Sequence, residues 1–464
     1  MQKFLLINIF FLLHFLSHSQ SIDVKKYDLV IEISDNSNEI KATEIIDFVR
    51  MSKMSTVQLE LVSPKENGEG MQVHEVILNQ QVIPFSQAND YLLFEVDNAS
   101  NSNRTNQVKI LYSGIPQDGL IIGENKYGNR TFFGDNWPNR AHHWFACNDH
   151  PSDKALIDFA IIAPLHYEII ANGEFKGKVE YNSGLALTSY SSKFELPTKV
   201  MVFGAADFAI EELEEFTRFP LSSWVYPENE KAGFKDMKLA IEVLDFFESK
   251  IAKYPYEKLA NVQSTTRYGG MENAGCIFYA ERAIRGDGMM EELIAHEIAH
   301  QWFGNSATES DWEHLWLSEG FATYMTHLYI ENKYGEERFK DELGKDRQTV
   351  FHFYDQHVLP VVDTLSTDLL FRLNANAYQR GAWVLHMLRS ELGTDAFWKG
   401  IQQYYSEYDY SNATTDEFIE VMEQSSGKDL SQFTTQWLRT GVLPELKLSW
   451  KLKRKKATFE LLQV

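Results

Sequence analysis

The chain has 464 residues, 44% of them hydrophobic and 13% aromatic, and it carries a formal net charge of −22 at pH 7. This length exceeds what one hydrophobic core usually supports, so we expect two or three domains, and the hydrophobic content excludes a disordered chain. A negative field of this size repels phosphate backbones, so we expect no nucleic-acid partner.

Residues 1–19 have the features of a secretory signal peptide. Lys3 supplies the positive start, residues 4–16 form a mostly apolar core, and Ser17 and Ser19 are small residues where a signal peptidase reads them. The core is too short for a permanent membrane span, and no later stretch stays apolar for about 18 residues. We therefore predict a protein that is exported to the periplasm or secreted after cleavage, with no permanent membrane span.

Residues 20–210 have the pattern of short strands separated by turn residues, and helical periodicity is nearly absent. The pattern predicts an N-terminal antiparallel β domain, similar to a β-sandwich. Its clearest strands are YDLVIEIS (27–34), EIIDFVRM (44–51), TVQLELVS (56–63), NQVKILYSG (106–114), ALIDFAIIA (155–163) and KVMVFGAADFAI (199–210).

Residues 211–440 have a different sequence pattern, in which apolar residues recur at helical spacing. MKLAIEVLDFFESKIAKY (237–254) is predicted as the first long helix, and ANVQSTT (260–266) as a strand. Further helices are predicted up to about residue 438. The last segment, 441–464, is predicted as two strands around a basic turn, the start of a truncated or rudimentary third β domain. A complete short form and a fragment of a longer protein are both open.

Only Cys147 and Cys276 are present, so the fold is not built on disulfides. We predict two buried free thiols, and a bridge between them is the alternative.

The spacing of His296 and His300 predicts a metal site. On a helix these two imidazoles lie one turn apart on the same face, with Glu297 beside them. The pair Gly304-Asn305 can end that helix, so a second helix can return and bring Glu319 to the metal as third ligand. We predict one Zn²⁺ per chain, with the fourth position open for a water.

The alternative is a buried helix whose histidines only pack or cap. The glutamate between the histidines, the spaced downstream glutamate and the apolar residues that anchor the helix all disfavour this alternative. Peptide hydrolysis needs a nucleophile at neutral pH, and zinc lowers the pKa of its water to about 7. Glu297 is then predicted to be the general base that takes the proton and later passes it to the leaving amine.

Three segments taken in order, GGMENAG (269–275), HEIAH (296–300) and WLSEGFATY (316–324), resemble the aminopeptidase-N family of zinc metallopeptidases. These are gluzincins, and the family includes the leukotriene hydrolases. CNDHPSDKA (147–155) and YQRGAWVLHML (378–388) extend the resemblance over most of residues 25–445. It implies an α+β multidomain fold, with an N-terminal β domain followed by a thermolysin-like, mainly helical catalytic domain.

The resemblance also implies roles for individual residues. Tyr378 corresponds to the family's oxyanion-stabilising tyrosine, although alone it would be read as a core aromatic. Asn148 stands where relatives have a glutamine that lines the first substrate subsite. A departure is Ser318, where the family usually has asparagine.

Glu272 is predicted to restrict the enzyme to free N-termini. A buried carboxylate beside the cleft pairs with an α-ammonium group, and a chain interior would leave it uncompensated. Relatives use this glutamate for N-terminal recognition, and the neighbouring backbone pairs with the substrate. Gly269 and Gly270 suit such close approach, and we place Met271 and Asn273 of the same motif in the substrate site. A solvated glutamate in a surface turn is the alternative.

We therefore predict a zinc aminopeptidase that acts, as a monomer, on peptides with a free N-terminus. An epoxide hydrolase or bifunctional relative and a catalytically silent peptide-binding scaffold are the alternatives. Glu272 disfavours a thermolysin-like endopeptidase, and the intact ligand and base positions disfavour the scaffold.

Overall fold

The structure is a computed structural model that describes residues 22–51, 55–96, 105–182 and 184–463. The predicted signal peptide lies outside these residues and stays a prediction. Within the described part of the chain, no helix has the length and apolarity that a bilayer crossing requires.

The N-terminal part consists of strands, as the alternating pattern predicts. Inward-facing side chains recur every second residue along β1 and β2, because successive side chains of a strand point to opposite faces. The strands are β1 (Ile22–Ser34), β2 (Ser37–Arg50), β3 (Thr56–Glu60), β4 (Gly70–Leu78), β5 (Gln81–Val82), β6 (Phe85–Ala88), β7 (Tyr91–Glu95), β8 (Asn106–Ile115), β9 (Leu120–Glu124), β10 (Arg130–Gly134), β11 (Lys154–Pro164), β12 (Glu168–Ala171), β13 (Glu174–Asn182), β14 (Leu185–Ser191), β15 (Leu196–Pro197) and β16 (Phe203–Ala206).

These strands form three sheets. The largest has the order β13-β14-β11-β1-β2-β8-β4-β5, with β15 attached to β11, and the smaller ones have the orders β3-β7-β6 and β12-β16-β10-β9. Most pairs are antiparallel, but β1 and β11 run parallel, with Leu29 opposite Phe159. This pair departs from the all-antiparallel prediction. Long connections permit parallel pairing, and the connection between these two strands contains β2 to β10.

The second part is mainly helical and contains one five-stranded sheet. The strands of that sheet are β17 (Ala209–Glu212), β18 (Leu221–Val225), β19 (Leu259–Ser264), β20 (Gly270–Met271) and β21 (Cys276–Ala280). Two two-stranded sheets are formed by β22 (Thr308–Glu309) with β23 (Asn412–Ala413) and by β24 (Leu446–Lys453) with β25 (Lys456–Gln463). The helices of the second part are α1 (Glu230–Met237), α2 (Ala240–Lys250), α3 (Glu291–Ala299), α4 (Trp316–Tyr334), α5 (Glu336–Tyr354), α6 (Gly381–Leu392), α7 (Thr394–Tyr408), α8 (Thr415–Ser426) and α9 (Ser431–Thr434).

The five-stranded sheet has the order β17-β18-β19-β21-β20, so β20 lies at an edge. The short strand β20 pairs antiparallel with β21 on one side only. It contains two residues of the GGMEN segment, and its free side leaves backbone groups available to an extended peptide.

The predicted first long helix is two helices. The segment 237–254 was predicted to be continuous, whereas α1 starts earlier and ends at Met237, and α2 starts at Ala240. The break lets both helices bury an apolar face, because Met237 and Ala240 are both fully buried. The two residues between the helices are Lys238 and Leu239. Neither is a proline or a glycine, so the sequence contains no signal for the break.

The prediction of two buried free thiols is confirmed. Cys147 and Cys276 are both free and fully buried. Burial raises the pKa of the Cys276 thiol to about 12, so this thiol is protonated and unreactive at neutral pH.

Two buried lysines of the N-terminal part join it to the second part. The Lys154 ammonium donates to the carbonyls of Ser306 at 2.6 Å and Ser411 at 2.8 Å, and Lys199 forms an ion pair with Glu309. Burial lowers the pKa of Lys154 to about 7. Because Ser306 directly follows the histidine-bearing segment, these contacts fix the position of that segment relative to the β domain.

Candidate active site

Helices α3 and α4 bring the three predicted metal ligands together. The two histidines are one helical turn apart at the end of α3, and Glu319 lies in the first turn of α4. The carboxylate Oε2 of Glu319 lies 3.3 Å from His296 Nε2 and 3.2 Å from His300 Nε2. The two Nε2 atoms are 3.1 Å apart.

These separations fit a tetrahedral zinc ion. Ligand bonds of about 2.0–2.1 Å separate the ligand atoms of a tetrahedral ion by about 3.3–3.4 Å. Without a cation, two imidazole nitrogens and a carboxylate oxygen in this arrangement would bring unshared lone pairs together in a buried place. Among the described residues, Glu319 Oε2 is buried and has no hydrogen-bond partner, which also fits a metal-ligand atom.

The backbone selects the tautomer of His300 that zinc requires. His300 Nδ1 lies 3.1 Å from the carbonyl oxygen of Phe303, which can only accept, so Nδ1 carries the proton and Nε2 is free to bind metal. Ser318 Oγ lies 3.1 Å from the same Nδ1. The serine that departs from the family pattern therefore touches a ligand without being one.

Glu297 lies beside the ligands in a buried position, 5% exposed. Burial raises the pKa of its carboxyl well above the ordinary value, and the carboxylates of Glu272 and Glu319 act in the same direction. A raised pKa suits a group that must accept a proton and then release it near neutral pH.

The approach of β20 to Glu297 requires a glycine. A Cβ atom at Gly270 would lie 2.3 Å from Glu297 Oε1 and 2.6 Å from its Cγ. At the preceding position, a Cβ on Gly269 would meet only the Leu293 side chain, at 3.5 Å, an ordinary contact. The first glycine of the pair is thus tolerant of a side chain, and the second is not.

We expect Gly270→Ala to lower kcat/KM by about 100-fold, because the new methyl group displaces the carboxylate of Glu297 and small misplacements carry losses of this size. Gly269→Ala should lose far less. Both variants are compared by steady-state hydrolysis of an aminoacyl-anilide, and circular dichroism checks the fold. Equal losses in the two variants would contradict the role given to the contact with Glu297.

Glu272 presents an unsatisfied carboxylate to the cavity. It is 5% exposed, and its Oε1 is buried with no hydrogen-bond partner in the part of the chain that the structure describes. Its backbone carbonyl accepts bonds from Gln301 at 2.9 Å and Asn305 at 2.5 Å, so the backbone at this residue is held by the segment that carries the histidines. A buried carboxylate oxygen without a partner needs a cationic ligand to compensate it.

Tyr378 reaches the metal ligands from a π-helical turn before α6. Its ring stacks on His296 with 6.0 Å between centroids and 12° between planes. The turn can approach the metal ligands because Gly381 packs directly on Gly320 of α4. A Cβ atom added to Gly320 would lie only 2.9 Å from the Gly381 Cα. The glycine three positions after Tyr378 and the glycine after Glu319 therefore bring the two helices into backbone contact.

A cavity of about 470 Å³ joins most of the predicted site residues. The residues lining it include Gly269, Gly270, Met271, Glu272, His296, Glu297, His300, Glu319 and Tyr378. The structure thus brings together all three predicted ligands, the predicted base and the predicted oxyanion donor.

Two predicted residues do not line this cavity. The Asn148 amide donates to Asp153 Oδ2 at 2.7 Å, within the N-terminal part, and the subsite role that the resemblance implied for it stays a prediction. Asn273 is fully buried and is absent from the lining of the cavity.

The N-terminal part contributes Trp137 to the lining of the cavity. The Trp137 ring packs against the Trp312 ring, with 5.6 Å between the ring centroids. Sequence reasoning missed Trp137. In the sequence, Trp137 is an aromatic residue next to a proline in a loop. This pattern does not indicate that its side chain reaches the cleft.

Two family models match the chain in succession. The Peptidase M1 N-terminal domain matches residues 24–200, and the Peptidase family M1 domain matches residues 235–437.

Curated relatives are similar to the chain over most of its length. It is 27% identical over 452 residues to the alanine/arginine aminopeptidase of Saccharomyces cerevisiae, covering 90% of this chain and 51% of that protein. It is 25% identical over 458 residues to the leucyl aminopeptidase of Saccharolobus solfataricus, covering 93% and 55%. The chain thus spans about half the length of these two relatives.

Solved structures share the fold. The M1 zinc metallopeptidase from Deinococcus radiodurans matches with a TM-score of 0.76 at 21% identity, covering 92% of this chain and 95% of that one. The native yeast LTA4 hydrolase matches with a TM-score of 0.81 at 19% identity, covering 92% and 69%.

Proposed function

Because the chain belongs to peptidase family M1, we propose that it is a zinc-dependent aminopeptidase that removes the first residue of peptides. One zinc per chain, held by His296, His300 and Glu319, is part of the proposal. The observation that carries the peptidase type is the unpaired carboxylate oxygen of Glu272 in the same cavity as these ligands. A substrate's α-ammonium group supplies the missing positive charge, and only the first residue of a peptide has one.

Each residue has a distinct task in this reaction. When bound, zinc makes water a nucleophile at neutral pH and polarises the scissile carbonyl. Glu297 takes a proton from the attacking water and passes it to the leaving amine. The Tyr378 hydroxyl donates a hydrogen bond to the oxygen on which negative charge develops. Glu272 fixes the first residue, and the free side of β20 aligns the backbone that follows.

The alternatives have less support. An epoxide hydrolase acting on a lipid would need an apolar channel for an acyl chain, whereas the cavity beyond the metal ligands is lined by polar and charged residues such as His327, Glu342 and Asp346. A silent scaffold has no need for an unshielded cluster of metal-ligating atoms or for a buried general base.

The test is a panel of aminoacyl-anilides beside their N-acetylated counterparts. We expect the acetylated substrates to be cleaved at least about 100-fold more slowly, because acetylation removes the charge that compensates Glu272. Glu272→Gln should lower kcat/KM for the free substrates by about 30-fold or more and narrow the difference between the two sets. A chelator should abolish activity, and added zinc should restore it.

Two results would contradict the proposed aminopeptidase function. Equal cleavage of free and acetylated substrates would remove the restriction to N-termini. Activity that survives complete removal of the metal would remove the zinc mechanism.

A further inference from the structure

The cavity extends past the metal ligands into a region that the proposed reaction leaves unexplained. This region, here called the distal pocket, is lined by Glu292 and Leu293 of α3, Thr323, Thr326 and His327 of α4, Glu342, Lys345 and Asp346 of α5, and Leu373. His327 is 7% exposed, Glu342 5% and Asp346 9%, so its polar floor is buried.

The direction of β20 indicates which part of a substrate enters the distal pocket. Along the chain, Gly269 lies against Leu293, Gly270 against Glu297, and the Glu272 carbonyl against Gln301. The strand therefore runs in the same direction as α3. A peptide that pairs antiparallel with β20 and has its α-amino group at Glu272 must run the opposite way, toward Leu293.

The residue that follows the scissile bond consequently faces the distal pocket. On α4, Thr323 and His327 follow Glu319 by one and two turns, and eight residues at about 1.5 Å each place His327 about 12 Å farther along the helix. A long side chain directed along α4 points toward His327, with its stem between the apolar walls of Leu293 and Leu373.

Carboxylates outnumber cations around the distal pocket. Glu292, Glu342 and Asp346 line it, and Lys345 is the one lysine or arginine among its described lining residues. Lys345 bonds Glu342 at 2.8 Å and 2.9 Å, and its side chain is 60% exposed at the mouth. Outside the pocket, Arg338 bridges Glu292 and Glu342, at 2.7 Å each.

Asp346 is the carboxylate that lacks a lysine or arginine partner. Its one ion-pair contact within the described ranges is with His327 Nε2, at 2.7 Å. The other ring nitrogen, His327 Nδ1, is buried and finds no hydrogen-bond partner among the described residues. A buried aspartate and a half-satisfied imidazole are expensive to keep in an enclosed place unless a ligand adds to their contacts.

We propose that the distal pocket binds the side chain of the residue after the scissile bond, and that it selects arginine or lysine there. Asp346 accepts hydrogen bonds from the incoming cation, and Glu342, which already pairs with Lys345 and Arg338, adds negative charge beside it. This inference rests on the proposed aminopeptidase function, because that function fixes the N-terminus at Glu272. It concerns the second residue of the substrate, whereas Glu272 concerns the first.

The test uses peptides that differ only at the second residue, Ala-Arg-Ala, Ala-Gln-Ala and Ala-Glu-Ala, beside alanyl-anilide, which has no second residue. We expect kcat/KM for Ala-Arg-Ala to exceed that for Ala-Gln-Ala by about tenfold or more, and Ala-Glu-Ala to be the poorest of the three. Asp346→Asn should reduce the preference for arginine over glutamine to about threefold or less. Glu342→Gln should reduce it in the same direction, so the inference does not depend on the folding of one variant.

Asp341→Asn is the matched control. It removes the same charge from an exposed position of α5 outside the pocket, so the preference for arginine should stay. Cleavage of all three peptides within twofold of one another, or a preference that both pocket variants retain, would overturn the inference while alanyl-anilide hydrolysis shows the proposed function intact. If alanyl-anilide and all peptides resist the zinc-loaded enzyme, the proposed function fails, and the inference fails with it.

Discussion

Replacing Glu297 by glutamine should lower kcat by about 10³- to 10⁴-fold while zinc stays bound, because the variant loses the proton acceptor and keeps all three ligands. The amide has nearly the shape of the carboxylate, so the contact with Gly270 is retained. Metal content is measured by atomic absorption and kcat on alanyl-anilide. A variant that loses its zinc as well would show that Glu297 supports the ligands rather than the proton transfer.

The matched control for Glu297→Gln is Glu242→Gln. Glu242 is a half-exposed partner of Lys333 on the surface of α2, so the same chemical change there should leave kcat within about twofold, as surface substitutions usually do. A fall in kcat of only a few-fold for Glu297→Gln would contradict its role as general base. The barrier would then depend on other groups.

Tyr378→Phe should lower kcat by about 10²- to 10³-fold with little change in KM, since it removes one donor to the developing oxyanion and keeps the ring stacked on His296. Steady-state kinetics that separate kcat from KM provide the measurement, because a transition-state contact and a binding contact affect them differently. A higher KM at unchanged kcat would instead assign the hydroxyl to ground-state binding.

Tyr324→Phe is the control for this second variant. Tyr324 is buried on α4, and its hydroxyl lies 3.2 Å from His386 Nδ1, away from the metal ligands. Deleting this hydroxyl removes a partly buried hydrogen bond of the same domain, at a loss in stability of about 1 kcal/mol. Catalysis should be preserved. If both tyrosine variants lost activity alike, a general loss of packing would explain the effect of Tyr378→Phe.

The metal ligands could be predicted because their geometry is encoded locally. The interval between His296 and His300 fixes their relative position through the helix alone, and the interval to Glu319 needs only a turn and a second helix. The alternation of apolar residues likewise predicted the β domain, because a strand with one buried face has no other pattern.

The rest of the site depends on contacts between segments that are far apart in the chain. Such contacts cannot be predicted from the pattern of one sequence. Asn148 and Trp137 lie in the same loop region, and the packing of that loop, not its composition, decides that Trp137 reaches the cleft. The break between α1 and α2 has no glycine or proline to announce it. The distal pocket is similar, because Asp346 has the spacing of an ordinary amphipathic helix, and its contact with His327 depends on how α5 packs against α4.

The backbone contact between Gly320 and Gly381 fixes the position of Glu319 relative to Tyr378. No side chain lies between the two helices at this point, so the interval from metal ligand to oxyanion donor is set by peptide geometry rather than by the fit of interdigitated residues. Repacking of the surrounding core would shift both groups together and preserve their spacing. Variation in substrate preference can then accumulate on α5 and the loops around the cleft, while the reaction geometry is inherited intact.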